Sequence, residues 1–300
     1  MLDFVGKRKL WYLLSLLVII PGIMAMATQR PPLNLGIDFT GGNLLQVRFE
    51  QPVETSQVRE ALREFNLEQA ALQPVGPNEF LLRTPVLTEE ESTALLERME
   101  EKFGSLEVQR NEKVGAVIGA ELTRKGLYAL ALAAVLMVIY IGIRFEFLFG
   151  IAAVVALLHD VLVTVGLFAL FRWEINSAFV AAILTIIGYS LNDTIVVFDR
   201  IRENLRMRKK ESLEELVNKS IAQSLVRCIN TMVAVALALL SLLILGGDTT
   251  KGFALALLIG SLSGTYSSIF TASPLWVDLR NLVRERKRAA RAKVRRATSP

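Results

Sequence analysis

Asp193 and Arg227 are the residues whose types and placing could do chemistry. Asp193 falls inside an apolar run, Ser177–Phe198, and Arg227 stands at the start of another, Cys228–Leu245, with Asn230 one turn deeper. His159 and Asp160 sit side by side in the middle of a third run, Phe147–Phe171. An ionisable side chain placed in hydrocarbon costs roughly 2.5–3.5 kcal/mol on insertion scales, so each of these is a functional candidate. Helical rise puts Asp193 roughly 9 Å inside the nearer end of its run, within reach of a long arginine on a neighbouring helix. An arginine that approaches and withdraws could make the carboxylate release and take up a proton. The plainer reading is a fixed ion pair at a helix junction. For His159–Asp160, a proton relay and a buried hydrogen-bonded anchor both remain open. Asp199, beside Arg200 and Arg202, reads as a solvated or capping charge.

Two aspartates could also share a proton and activate water, as in aspartyl proteases. The Tyr-Asp and Gly-x-Gly-Asp motifs of the intramembrane proteases are missing, because Asp160 follows His159 and Asp193 follows Asn192. With one histidine and one cysteine in 300 residues, no metal-ligand cluster is expected. Cys228 cannot form an internal disulfide and, in its apolar run, reads as a buried inert thiol. No cofactor is expected, only a proton as coupling ion, and the chain does not read as an enzyme.

These side chains need helices to hold them in a bilayer. The sequence is 52% hydrophobic, with 21% charged residues, and has a mean hydropathy of +0.43. Such apolar content alongside ordinary charge means that the hydrophobicity is segregated into blocks. Runs near the length of about 20 residues that a spanning helix needs are Leu10–Thr28, Leu127–Ile143, Phe147–Phe171, Ser177–Phe198, Cys228–Leu245 and Gly252–Leu275. In hydrocarbon the backbone must satisfy its own polar groups, so these six read as helices. Small residues that let helices approach closely cluster near Asp193 (Gly188, Ser190, Asn192) and in the last run (Gly260, Ser261, Ser263, Gly264, Ser267). The first run has a rival reading as a signal peptide, with Lys7, Arg8 and Lys9 before it and Ala25-Met26-Ala27 at its end. Its apolar stretch is long for a signal core, which favours an uncleaved helix.

The net charge of +5 is unevenly spread. Lys and Arg gather at residues 7–9, through 200–227 (Arg200, Lys209 and Lys210 among them), and in the tail from Arg280 to Arg296. The opposite short connections offer Arg172 and Lys251. The positive-inside rule then makes both termini cytoplasmic and puts residues 29–125 outside. The organisation expected is a cytoplasmic N-terminus 1–9, a first helix 10–28, an extracytoplasmic domain with linkers 29–125, helices two to six within 126–275 including a cytoplasmic loop 199–227, and a basic cytoplasmic tail 276–300. Topology accounts for that tail, with contact to anionic lipid or ribosomal RNA as a minor reading; the lipid bilayer is an expected partner and nucleic acid is not.

The segment between the first two runs has its own pattern. Leu45, Val47 and Phe49 alternate as a half-buried strand. Val58, Ala61, Leu62 and Phe65 follow helical spacing. Ala70–Val75 and Phe80–Thr84 are short strands around a Gly76-Pro77-Asn78 turn. Thr88 with Glu91 forms a capping box for a helix through Leu95, Met99 and Phe103 that Gly104 ends, and Leu106–Gln109 is a last strand. The order βαββαβ predicts a ferredoxin-like α+β domain. Ahead of it, Asp38-Phe39-Thr40-Gly41-Gly42 reads as a turn that leads into the first strand, with Asp38 bonding nearby backbone or the pair of glycines acting as a hinge.

Three stretches resemble one family. They are Asp38-x-x-Gly41-Gly42, the run Leu158-His159-Asp160-Val161, and Gly188-Tyr189-Ser190-Leu191-Asn192-Asp193-Thr194 continuing through Phe198-Asp199-Arg200 to Asn204. The chain is similar over nearly its whole length to the SecD/SecF family of bacterial Sec protein export, within the resistance-nodulation-division superfamily. The resemblance implies a place in the cytoplasmic (inner) membrane and a pseudo-twofold, twelve-helix pairing with SecD. It implies that proton flow assists late steps of preprotein translocation, with the SecYEG channel and SecA upstream. Asp193 matches the family's essential carboxylate and Arg227 its partner on the next helix. A non-motor scaffold of the translocase is the alternative role. A drug or lipid exporter of the same superfamily would carry both halves in one chain, and this chain is too short for that.

Overall fold

The computed structural model describes residues 3–68, 70–144, 146–208 and 210–297. In chain order the elements are α1 (Arg8–Thr28), α2 (Ile37–Thr40), β1 (Gly42–Phe49), α3 (Thr55–Arg63), β2 (Ala71–Gly76), β3 (Glu79–Thr84), α4 (Glu89–Phe103) and β4 (Leu106–Val114). Then follow α5 (Ala116–Arg144), α6 (Phe147–Leu170), α7 (Ser177–Arg206), α8 (Leu213–Leu245), α9 (Asp248–Ser267) and α10 (Ser273–Ala297), the last two joined by a π-helical turn at Ser268–Ala272. The chain divides into two units, Met1–Asn34 with Leu130–Pro300, and Leu35–Ala129.

All six apolar runs are helices long and apolar enough to cross a membrane. Most exceed the predicted runs, because polar residues at their ends continue the same helical hydrogen bonding. α5 starts at Ala116 rather than Leu127. The expected loop 199–227 is mostly helix: α7 runs on to Arg206, and α8 begins at Leu213 behind a Ser212–Glu215 capping box. Lys209, in this connection, lies outside the described residues. The sixth span does not stop at Leu275 either. Pro274 lacks the N–H that would reach the Phe270 carbonyl, and the π turn before it absorbs the mismatch. Ser273 Oγ donates to Ser268 O at 2.9 Å across that wide turn. α10 then carries the basic tail as helix through Ala297; residues 298–300 lie outside the described residues, and of Arg291, Lys293, Arg295 and Arg296 only the backbone is described.

Small residues set the closest approaches within this unit. A Cβ at Gly22 of α1 would lie 2.5 Å from the Gly166 Cα of α6, and one at Gly264 of α9 would lie 3.0 Å from the Ser190 Cα of α7. Trp276 stacks on Phe149 at 4.4 Å, and Phe198 lies 4.8 Å from the same ring. The turn before α1 is also seated. Asn218 Oδ1 accepts from the backbone N–H groups of Phe4 and Val5 at 3.0 and 2.9 Å, both side chains are buried, and Arg8 pairs with Glu214 and Asp278.

In the second unit an antiparallel sheet of order β2-β3-β1-β4 lies beneath α3 and α4, the ferredoxin-like arrangement predicted. Its core is Leu45, Val47, Phe49, Val58, Leu62, Leu82, Leu95 and Met99. The Thr88–Glu91 capping box forms, and Gly104 closes α4 at φ +83°. Glu54 and Gln57 form a second box at α3, which the hydrophobic pattern alone does not reveal. β4 runs to Val114 rather than ending at Gln109, because its backbone pairs along the whole of β1 across a register shift at Gln46/Val47.

Candidate functional site

The Asp-x-x-Gly-Gly segment is structural in detail. Asp38 lies in the single turn of α2, and Gly41 and Gly42 follow at φ +71° and +124°. Both angles favour glycine. A Cβ on Gly42 would also sit 2.3 Å from Thr84 O. Residues Phe39–Gly41 lie against Gly119 near the start of α5, where Thr123 Oγ1 reaches Phe39 O at 3.5 Å. The turn that feeds the first strand is therefore there.

Asp160, on α6, has no exposed surface. Its Oδ1 accepts from Ser263 Oγ at 2.6 Å and lies 2.9 Å from His159 Nδ1. Its Oδ2 accepts from Ser190 Oγ at 2.5 Å and Ser267 Oγ at 2.8 Å. An ionised carboxylate has about four lone-pair sites, and here each oxygen takes two partners. On the other side of the ring, His159 Nε2 lies 3.0 Å from Ser15 Oγ of α1. One carboxylate thus ties together α6, α7 and α9, and through His159 also α1. The outer end of this chain reaches Tyr266, whose hydroxyl donates to Trp11 O, beside a cavity of about 310 Å³ lined mainly by Leu14, Val18, Val163, Leu167 and Leu262. His159, Ser15, Ser263 and Tyr266 of the network also line that cavity. The matched oxygens of Asp160 are what the anchor reading of His159–Asp160 calls for, and the His159–Ser15 contact is compatible with either reading.

Asp193, on α7, is 98% buried and differently supplied. Its only hydrogen-bond partner among the described residues is Thr265 Oγ1 of α9, which donates to Oδ2 at 2.8 Å. One residue on, Thr194 and Ser268 share a bond of 2.8 Å at the π turn. The fixed ion pair expected as the plainer reading is not formed, since Asp193 and Arg227 make no salt bridge within 4.0 Å among the described residues. Arg227, on α8, is exposed and lines a polar cavity of about 370 Å³ with Asn192, Asp199, Glu203, Gln223 and Ser224. Asn230 is exposed on α8. Asp199 is not a bare solvated charge, because it pairs with Arg144 at 2.9 Å and Arg202 at 3.5 Å. The phenol oxygen of Tyr189, one turn before Asp193, is buried without a hydrogen-bond partner among the described residues. The arrangement combines a carboxylate held by one hydroxyl, an exposed cation on the next helix, and a cavity beside that cation.

The sequence reading counts Ser190, Ser263 and Ser267 only as packing residues and misses Thr265. The available signal is the spacing of Ser263 and Ser267, four residues apart and so on one helical face. No histidine, cysteine and carboxylate group able to hold a metal occurs among the described residues.

Comparison with known proteins bears on this whole arrangement. The family model described as protein export membrane protein SecD/SecF, C-terminal, matches residues 94–282, and that of the SecD/SecF GG motif matches residues 30–53. The protein translocase subunit SecF of Sebaldella termitidis is 41% identical over 298 residues, covering 97% of this chain and 96% of the relative. That of Thermobaculum terrenum is 44% identical over 302 residues, covering 94% and 95%. Crystallised SecDF of Thermus thermophilus, described as a translocon-associated membrane protein, superposes with a TM-score of 0.85 at 37% identity, over 93% of this chain and 39% of that one. A SecDF structure in a super-membrane-facing form gives 0.70 at 35% identity, over 96% and 40%. The chain thus spans about two fifths of each SecDF chain. It belongs to the SecD/SecF family of protein-export membrane proteins.

Proposed function

We propose that this subunit couples movement of protons to protein translocation through Asp193, as one half of an assembly whose other half is a SecD-type chain. Translocation is the role of its relatives, and SecDF structures hold a counterpart of this chain within a longer one. The observation that carries the coupling is the state of Asp193: sealed from solvent, held by one hydroxyl, and unpaired with the arginine on the next helix. A nearby positive charge favours the ionised form of a carboxylate. Closing and opening of the Arg227–Asp193 gap would therefore release and reload a proton, with the polar cavity at Arg227 as its aqueous approach on one side. A membrane potential of 100 mV supplies about 2.3 kcal/mol per charge moved, enough to bias two states that lie within a few kcal/mol. In this reading the basic clusters put both termini in the cytoplasm, in the bacterial cytoplasmic membrane. The SecYEG channel, SecA and the emerging preprotein are the functional partners.

The test is translocation by the subunit reconstituted with its SecD partner, SecYEG and SecA under an imposed proton gradient, comparing wild type with Asp193→Asn. The expected outcome is loss of gradient stimulation with the complex still assembled. Undiminished stimulation would make the chain a scaffold and place any proton path elsewhere.

A further inference from the structure

We propose that Asp160 is a positioning residue for Asp193: its serine ligands fix the register of α9 against α7, and that register brings Thr265 to the Asp193 carboxylate. The proposal rests on the proton-coupling reading of Asp193. Ser263 and Ser267, which donate to Asp160, flank Thr265 on α9, and Ser190, the third serine, stands one turn before Asp193 on α7. Between the two carboxylates Gly264 lets the helices touch, with its Cβ position 2.8 Å from Ser190 Cβ. The helices therefore cannot slide at the level of Asp160 without moving Thr265 relative to Asp193. A carboxyl group with both oxygens matched inside the bundle is suited to this work, because each serine hydroxyl that left it would have to find another acceptor in an apolar interior.

The titratable and charged groups around Asp193 are Tyr189 of α7 and Arg227 with Cys228 of α8. α6 contributes His159 and Asp160, already bonded to each other, and α9 contributes Tyr266, bonded to Trp11 O. None of them bonds Asp193, so Thr265 is the contact that a shift of α9 would change first.

The experiment follows labelling of Asp193 by a hydrophobic carbodiimide, which attacks protonated carboxyl groups, in the reconstituted complex across pH. Peptide mapping separates Asp193 from Asp160. Thr265→Val gives the direction in which loss of the hydroxyl moves the pH of half-labelling, by about one pH unit. Asp160→Asn is expected to move it the same way by a similar amount. Mere removal of a nearby negative charge acts in the opposite sense to loss of a donated hydrogen bond, so a shift the other way, or none, overturns the proposal. Ser263→Ala keeps the Asp160 charge and loosens only one ligand; a shift in the Thr265→Val direction supports the proposal even if Asp160→Asn fails to assemble, and an unmoved midpoint overturns it. Wild-type Asp193 that shows no titration at all sinks the proton-coupling reading instead, and this inference with it.

Discussion

Asp160 and Asp193 lie on neighbouring helices and are both buried, yet among the described residues one has four hydrogen-bond partners and the other has one. The difference separates two uses of a buried carboxylate. A carboxylate with every lone pair matched is expensive to disturb. One with a single donor and no salt bridge among the described residues has far less to hold it in place. Burial and residue type, all that the apolar runs reveal, are the same for both. What distinguishes them is the supply of hydroxyls, which comes from Ser190 of α7 and mostly from α9, a helix distant in sequence from α6.

The largest test of this contrast is stability. Asp160→Ala leaves three serine hydroxyls and the His159 ring without their acceptor, and breaking such a buried set costs about 3–5 kcal/mol. Asp193→Asn keeps an oxygen for Thr265 and should cost less than about 1 kcal/mol. Thermal unfolding of the purified subunit in detergent should show a large fall for the first and a small one for the second. Equal falls would erase the distinction between anchor and switch.

A smaller effect probes the contact between the two sites. Gly264→Val places a Cβ against the Ser190 backbone and should cost about 1–3 kcal/mol through overpacking. Gly188→Ala, on the same helix as Ser190 but with nothing within 4 Å of its Cβ position, should be neutral or gain up to about 1 kcal/mol of helix propensity. The pair measured together shows whether the crossing at Gly264, rather than glycine in a helix generally, sets the register. If both variants behave alike, the close approach carries no special weight.

What the sequence makes legible divides along the same line. Six spans, the βαββαβ order, the Thr88 cap and the Gly104 stop depend on residues near one another in the chain, and periodicity exposes them. Asp193, Arg227, His159 and Asp160 stand out because charge is scarce in apolar runs. Their partners do not stand out, since a serine in a helix is a ligand or a packing residue depending on which helix it faces. Gly22 meeting Gly166, and Asn218 capping the turn at Phe4, are hidden for the same reason. The π turn could be anticipated from Pro274, but its alignment with Thr194 could not.

Ser15→Ala tests the outer arm of the anchor. It removes the neighbour of His159 Nε2 while leaving both oxygens of Asp160 fully matched. The expected loss is about 1 kcal/mol, with gradient-driven translocation unchanged. A strong functional defect in a stably assembled variant would show that His159 and Ser15 belong to the proton path after all, and the line drawn between Asp160 and Asp193 would have to move.

The smallest effect belongs to a third carboxylate, whose setting is opposite to both. Glu64, just after α3, is exposed and accepts from Lys102 and from Arg98 Nε at 2.8 Å, both on α4. The Lys102 bond, then the Arg98 bond, hold its pKa below the ordinary value of 4.5. With the folded value depressed, its contribution is complete above about pH 4.5 and fades as pH falls through the folded value. Water and salt screen an exposed pair, so the contribution is modest and should shrink further at high ionic strength. Hydrogen exchange of the α3 and α4 peptides in the full-length protein should show protection declining across that acid range in wild type. Glu64→Gln should flatten this part of the decline. If the substituted protein loses protection along the same curve, the link from Glu64 to α4 contributes nothing measurable, and exposure rather than partner count decides what a carboxylate is worth here.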